Sequence, residues 1–370
     1  MRDPFGSTVG TVIIDHHYFI SSDYFLTRRN CGLERSFYSS LGVVSRDDNT
    51  DFQYCTVLFA RSENDVYFYP MLFTVVLCTY NREDLLSLAI RSILENNYPR
   101  IGYKLLIVDN YGSSSVQALA RGVGAEYVYE PQVGLSHARN RAAAEVGTEW
   151  ILYLDDDMLA SPDLLTHFSE CILHPSYGAV GGNFTHWFRA EPPVWLDKYY
   201  SGTVSPSSKE TWTILGQHEY LFGGIMGVRR AAVLAVGGFN PRLGMRGKLL
   251  GYAEENDIQD KLRNAGWKIG YDPRMTMRHL VQPYKYTIRH QFNEAFAQGR
   301  ADAVRSSRGK LSRVKMIVMD SAITTFYSIP FNLLRLTLKR GYVWQHAVVD
   351  TGKNYAFTLG FVIFTIKSQP

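Results

Sequence analysis

Between residues 73 and 155, short apolar runs alternate with amphipathic stretches at nearly even spacing. Residues 73–78 are apolar apart from Thr74, as expected of a strand covered on both faces. Leu85, Leu86, Ala89, Ile90 and Ile93 then recur at helical spacing, and Asn81, with Asp84 three residues on, reads as the cap of that helix. Strands follow at 104–109, 125–129 and 150–155, with helices at 116–121 and 134–146 between them. Such alternation predicts an α/β fold with a doubly wound, mostly parallel sheet. Beyond Asp157 the rhythm loosens. Ser161 and Pro162 suit an N-cap and first helical position, longer strands are expected at 178–188 and 220–228, and a helix at 254–264.

The first seventy residues hold no sustained period, and Met71 stands directly before the first clean strand. Three regions are therefore expected: an extension over 1–70, with Met71 as the natural beginning of the folded part, a main domain over 71–305, and a helical region over 306–370. In that last region residues 316–338 are mostly apolar but carry Asp320, Pro330 and Arg335, and residues 355–366 are clean but short. Neither reaches the roughly 20 uninterrupted apolar residues of a membrane span. Arg300, Arg305, Arg308, Lys310, Arg313 and Lys315 precede the first stretch, and Lys339 and Arg340 follow it. Two readings stay open: helices lying on an anionic membrane surface, or a packed tail with a solvated basic rim.

Composition adds little beyond exclusions. A net charge of +4 over 370 residues gives no ground for a nucleic-acid partner. Cys31, Cys55, Cys78 and Cys171 show no CxxC pair or metal-ligand spacing and read as reduced thiols in a cytosolic protein. Asn183-Phe184-Thr185 matches a glycosylation acceptor pattern with no signal peptide ahead of it, and is read as incidental.

The chemistry concentrates where strands end. Asp155, Asp156 and Asp157 close the run Trp150-Ile151-Leu152-Tyr153-Leu154. Crowded carboxylates repel one another and ask for a divalent cation or another strong partner; alternatively they form a solvated acidic turn. In an extended turn Asp155 and Asp157 would share one side and Asp156 the other. Thr79-Tyr80-Asn81-Arg82 and Asp109-Asn110 end two other strands, and in an open α/β sheet such ends line one ligand-binding edge. Gly134-Leu135-Ser136-His137-Ala138-Arg139 opens a helix whose N-terminus favours anions, with Arg139 one turn in. Glu254 and Glu255 stand at the start of a later helix, from which a carboxylate can reach a cleft and act as a base.

Taken in order, Val75-Val76-Leu77-Cys78-Thr79-Tyr80-Asn81-Arg82, Ile107-Val108-Asp109-Asn110, the 134–140 segment, Asp155-Asp156-Asp157, Gly237-Gly238-Phe239, Glu254-Glu255-Asn256-Asp257 and Ala265-Gly266-Trp267 resemble a family 2 glycosyltransferase of GT-A fold. The resemblance covers residues 72 to about 305 and is of the bacterial polysaccharide-assembly kind. It implies that Thr79, Tyr80, Arg82 and Asp109 hold the nucleoside of a nucleoside-diphosphate sugar, with Arg139 nearby and Asp156 supporting the donor sugar or the turn. It implies Mg2+ or Mn2+ on Asp155 and Asp157, with His279 near the metal or diphosphate or else structural. Glu255, or Glu254 beside it, would be the base that deprotonates a lipid-linked or saccharide acceptor. The implied reaction inverts configuration and, since no QxxRW motif is present, adds one sugar per encounter. Ile225 stands where many relatives have asparagine, which removes one polar contact from that pattern. Trp187, Pro192, Pro193, Trp195, Tyr199 and Tyr200 read as an acceptor wall or as core packing. The expected location is cytoplasmic, with the inner face of the cell membrane as a peripheral site if the first of the two readings of the C-terminal helices holds. Competing readings are a nucleotidyltransferase, for which Thr79-Tyr80-Asn81-Arg82 is a poor glycine-rich loop, and a non-catalytic sugar-nucleotide scaffold.

Overall fold

The computed structural model describes residues 73–306 and 309–367, and three strands nearer the N-terminus. Those strands, β1 (Ser39–Ser45), β2 (Tyr54–Ser62) and β3 (Asp65–Tyr69), form an antiparallel sheet in the order β1-β2-β3 within a unit that ends at Leu72. Cys31 and the remainder of that region lie outside the described residues.

The second unit starts at Phe73. Its first half runs β4 (Phe73–Thr79), α1 (Glu83–Leu94), β5 (Tyr103–Asp109), α2 (Ser114–Gly122), β6 (Glu126–Tyr129), α3 (Leu135–Glu145) and β7 (Trp150–Asp155). The second half runs β8 (Met158–Ala160), α4 (Leu164–Cys171), β9 (Tyr177–Phe188), α5 (Asp197–Tyr200), β10 (Thr203–Val204), β11 (Thr213–Ile214), β12 (Ile225–Arg229), α6 (Arg230–Ala235), α7 (Glu254–Asn264) and β13 (Lys268–Val281). The chain continues through α8 (Ile288–Arg305), α9 (Lys310–Ile323), α10 (Ile329–Leu338) and α11 (Trp344–Lys367).

The alternation of the first half has the expected result. β4 pairs in parallel with β5 on one side and β7 on the other, and β6 extends the sheet beyond β5. Chain order therefore reverses beside β4. In such sheets the ligand crevice opens at that switch, outside the carboxyl ends of the strands. Register sets Thr79 opposite Asp109 and Cys78 opposite Asp155, so three strand ends meet at one edge. Phe73, Val75, Val76 and Leu77 are fully buried, and Leu85, Leu86, Ala89, Ile90 and Ile93 form the buried face of α1. Each of these Phe, Val, Leu and Ile side chains contributes about 1.5–3 kcal/mol relative to exposure.

Two helix starts differ from the sequence expectation. Asn81 does not cap α1; it takes a left-handed φ of 54°, which asparagine tolerates, and Arg82 is the residue before the helix. Ser161 does not cap α4, because residues 158–160 are drawn into β8, and the helix starts after Asp163. β8 pairs antiparallel with β13, with Met158 opposite His279. That pairing carries His279 to the aspartates. β12 begins later than expected, after the Gly223-Gly224 turn, and runs antiparallel between β7 and β9. Asn183, in the glycosylation-like triplet, is buried and donates its amide to Tyr271 and the Pro273 carbonyl.

α8 and α11 cross closely enough that a Cβ on Gly299 would lie 1.9 Å from the Phe357 carbonyl oxygen. Phe361 beneath this crossing is fully buried. α11 is also tied to the 195–200 segment: Asp350 accepts from Lys198, and from the Tyr199 and Tyr342 hydroxyls at 2.8 Å each, while His346 contacts the Trp195 carbonyl.

Candidate active site

A cavity of about 290 Å3 opens at the switch edge, and Tyr80, Arg82, Asp157, Glu255, His279 and Glu294 are among its lining residues. Asp155, Asp156 and Glu254 reach it as well. The two carboxylate groups expected to act together are thus on one chamber, although a hundred residues separate them.

The three aspartates sort by partner rather than by alternation. Asp155 faces Arg139 Nη2 at 3.3 Å. Asp156 accepts from the Thr79 hydroxyl at 2.7 Å and from Arg82 at 3.2 Å. Asp157 lies 3.5 Å from the Arg82 guanidinium and 3.7 Å from His279 Nε2. Burial pushes Asp156 up to about 7 against the pull of Arg82, with the Asp157 charge adding to the rise. Burial acts on Asp157 in the same sense, but the hydrogen bond and charge of His279, with Lys285 and Arg82, hold it down to about 2.

Arg139 is 1% exposed, and its guanidinium is fully engaged. It donates to Glu254 at 3.0 Å, to the Gly223 carbonyl at 2.9 Å and to Asp155 at 3.3 Å, and its head lies over the Tyr153 and Phe239 rings. Burial disfavours its charge, yet Glu254 and Asp155 hold it protonated beyond the ordinary arginine range. Arg139 lines the cavity, and its fork braces two carboxylates. Gly223 and Gly224 make room for this brace. A Cβ on Gly223 would lie 2.9 Å from Arg139, and one on Gly224 would lie 2.6 Å from the Asp155 carboxylate.

Glu254 and Glu255 separate clearly. Glu254 is buried, and burial together with the Glu255 charge pushes its carboxyl well above the usual range against the pull of Arg139. Glu255 is partly exposed to the cavity. Before them Ala253 adopts a left-handed φ of 69°, costly for a residue with a Cβ, at the turn that starts α7 beside the cavity.

Asp109 is engaged by its own loop. It is fully buried and accepts from the backbone N–H groups of Tyr111, Gly112 and Ser113 at 2.7–3.0 Å and from the Tyr127 hydroxyl at 3.1 Å. Its oxygens organise the loop after β5. Asn110, not Asp109, lines the cavity, and its side chain joins the 130–132 carbonyls to the Gly134 N–H ahead of α3. Ile225 is buried in β12 rather than on the cavity wall. The expected acceptor wall also lies elsewhere: Trp195 packs on Tyr199, Tyr199 on His346, and the cavity's aromatic surface comes instead from Tyr80, Phe184, Phe222, Tyr252 and Tyr284.

Sequence reasoning missed the far end of the chamber. Glu294 of α8 accepts from the Tyr252 hydroxyl at 3.2 Å and lies 3.2 Å from His290 Nε2. Burial would raise its pKa, but His290, Lys285 and Lys353 hold it below the usual carboxylate range. Only the i,i+4 spacing of His290 and Glu294 at the start of a helix pointed to it.

No group of three or more His, Cys, Asp or Glu side chains among the described residues forms a ready metal cage. The donor set nevertheless fits a divalent ion shared with a ligand. Asp157 supplies an ionised carboxylate, and His279 faces it with Nδ1 buried and without a hydrogen-bond partner among the described residues. Mg2+ is commonly held by one or two protein carboxylates, with phosphate oxygens and water completing its shell.

Residues 74–236 match the family described as glycosyl transferase family 2. A curated relative, the succinoglycan biosynthesis protein ExoM of Rhizobium meliloti (strain 1021), is 30% identical over 126 residues, which is 32% of this chain and 40% of that protein. The match thus spans well under two thirds of the relative's length. Among solved structures, a mannosyltransferase from Pyrobaculum calidifontis in complex with GDP-Man and Mn2+ superposes with a TM-score of 0.55 at 16% identity, covering 81% of this chain and 89% of that one. This shared architecture identifies the fold as GT-A.

Proposed function

We propose that the chain, whose residues 74–236 match glycosyl transferase family 2, transfers one sugar from a nucleoside diphosphate to a hydroxyl acceptor, with inversion, in the assembly of a polysaccharide or glycolipid. The observation that carries this reading is the single chamber shared by Asp155, Asp157 and Glu255.

In the proposed arrangement the nucleoside lies along Tyr80 and Asn110 at the ends of β4 and β5, and the diphosphate approaches Asp157, His279 and Lys285. Asp155, Asp157 and His279 would hold Mg2+ or Mn2+ there, and that ion would supply positive charge to the leaving diphosphate. Lys285 and Arg82 add fixed positive charge on the same side, where negative charge grows in the transition state. Asp156, held by Thr79 and Arg82, fixes the turn that presents its two neighbours.

Glu255 is the base in this reading. It is the more accessible of the pair, whereas Glu254 is occupied by Arg139 and raised by burial. As the acceptor oxygen attacks the anomeric carbon, its proton passes to the Glu255 carboxylate and the bond to the diphosphate breaks on the opposite face. One displacement inverts the centre. The acceptor approaches from the Tyr252, Tyr284 and Glu294 end, where an ionised carboxylate among aromatic faces suits sugar hydroxyls. Unpaired Cys78 and Cys171 suit the cytoplasmic location that this reading includes.

The test is turnover and donor binding in two variants. Glu255→Gln should bind donor sugar nucleotide as the parent does and lose transfer, and Asp157→Ala should lose the Mn2+-dependent part of donor binding. Transfer by Glu255→Gln at the parent rate would sink the base assignment. A chain that binds no sugar nucleotide with or without Mn2+ would sink the activity.

A further inference from the structure

The helical stretch over α9 and α10 is amphipathic in the reverse of the usual sense for a water-soluble domain. Asn332 and Thr324 are buried, and Asn332 donates to Thr351 of α11 at 3.0 Å, with its Oδ1 3.0 Å from the Tyr342 hydroxyl whose proton it shares with Asp350. The outer surface is apolar: Leu311 is 83% exposed, Phe326 81% and Leu338 74%, with Val318, Leu333 and Leu334 also exposed. These residues belong to one helical stretch, Leu311–Leu338, of 28 residues with mean hydropathy 1.2, and 11% of its most apolar window is buried. Polar side chains turned inward and large apolar ones outward suit an apolar medium outside.

Charge identifies that medium. Residues 300–340 contain nine Lys or Arg and two Asp in a chain whose total is only +4, so the remainder is net acidic. Arg305 and Arg335 pair with Asp260 and Asp350, but Lys315, Lys339 and Arg340 are exposed. Trp344, which follows this basic pair, is 59% exposed. A second copy of the chain would bring like charges together on this face; an anionic lipid surface would neutralise them. The stretch would measure about 42 Å as a helix, and Asp320 near its middle with Lys315 and Arg335 on its surface favours lying in the interface over crossing it.

We infer that Leu311–Leu338 docks in the plane of an anionic membrane, with the residues from Leu311 to Leu338 that face outward seated among acyl chains and Lys315, Lys339 and Arg340 at the headgroups. The docking does not depend on the sugar-transfer reading. Through α11, which contacts both this stretch and the 195–200 segment, it would hold the catalytic unit beside the bilayer.

Flotation of the full chain with vesicles tests this. Binding is expected to vesicles of phosphatidylcholine with phosphatidylglycerol, to fall in high salt, and to be weak on phosphatidylcholine alone. Lys339→Glu and Arg340→Glu should each weaken it on the order of 5-fold or more. Phe326→Asp should abolish it while donor binding and the circular-dichroism melt stay at parent values, which separates lost docking from lost folding. Equal binding to neutral vesicles, no binding to either, or retention on anionic vesicles after alkaline carbonate extraction would overturn in-plane docking. So would a dimer in solution that Phe326→Asp dissociates, which would assign the face to a second copy.

Discussion

Replacing Arg139 by methionine keeps an unbranched side chain against Tyr153 and Phe239 while removing the charge that joins Glu254 to Asp155. Three hydrogen bonds disappear. At about 1.5–3 kcal/mol for each bond to a charged group, the two carboxylate contacts set an upper range, but Asp155 is 35% exposed and its share is screened by solvent. Glu254 is left as an uncompensated buried acid, which places the loss at about 3–5 kcal/mol. The pH dependence has a definite sign. Glu254 already has a folded pKa raised by burial and by Glu255, and losing Arg139 raises it further. A raised carboxylate gives its stability below the unfolded value near 4.3 and loses it as pH rises toward the folded value. The deficit of Arg139→Met should therefore be at least as large at pH 8 as at pH 5. Urea unfolding at both pH values, for Arg139→Met, Glu254→Gln and the double variant, measures it. The double variant should be less destabilised than the two singles added, by about 1–3 kcal/mol. A single-variant loss below about 1 kcal/mol at both pH values, or strict additivity, would refute the brace.

At the other end of the chamber, Glu294→Gln should raise the acceptor KM about tenfold, from loss of one charged hydrogen bond, and leave donor binding unchanged; a change confined to kcat would remove it from acceptor contact. Asp350→Ala takes the shared acceptor from Lys198, Tyr199 and Tyr342 and should destabilise the fold by about 2–4 kcal/mol at pH 7. Asp350 has a lowered folded pKa, set by these partners against its burial, so its stability is present above the unfolded value and lost as pH falls. Melting curves of parent and variant should therefore converge in acid. Gly299→Val should destabilise by about 1–3 kcal/mol or more through the α8–α11 crossing, whereas Gly309→Ala, with open space around it, should be neutral in the same thermal melts.

What the sequence revealed and what it hid differ in physical range. Unbroken apolar runs and the Leu85-to-Ile93 stripe are local patterns, and they marked the sheet's first half and the buried face of α1. Helix starts are local as well, but tertiary pairing overrode one of them: the hydrogen bonds of β8 to β13 outweighed the cap that Ser161 offered. The loop contacts of Asp109 had a local signal. An aspartate followed by Asn-Tyr-Gly-Ser is a turn former that bonds the backbone ahead of it, and here it does so three times. The place of Glu294 on the chamber depends on tertiary packing of α8, and the contact of His279 with Asp157 on the pairing of β13 with β8, to which the spacing within either segment adds little. The reversed polarity of the Leu311–Leu338 stretch was illegible for a related reason: periodicity reports that two faces differ, not which one faces the interior.

The charge balance of the chamber bears on its ligand. Five carboxylates of the two motifs and Glu294 share it with Arg82, Arg139 and Lys285. Arg139 is consumed by Glu254 and Asp155, and Arg82 by Asp156 and Asp157. Lys285 and His279 are the cationic or protonatable groups left closest to Asp157. A nucleoside diphosphate brings further negative charge into a space already net negative, and burying it there without compensation would cost several kcal/mol. Two routes relieve that cost. A divalent ion can enter with the diphosphate, or acids can take up protons, as the raised values of Asp156 and Glu254 favour. The routes differ in proton bookkeeping. Entry with a metal leaves Asp157 ionised and makes donor affinity rise with Mn2+ at fixed pH, whereas entry by protonation makes affinity rise as pH falls without added ion. His279, Lys285 and Arg82 hold Asp157 ionised, so the first route has a carboxylate ready for the ion. Donor titrations with and without Mn2+ between pH 6 and 8 distinguish them, and metal-independent affinity that strengthens toward pH 6 would exclude the ion route.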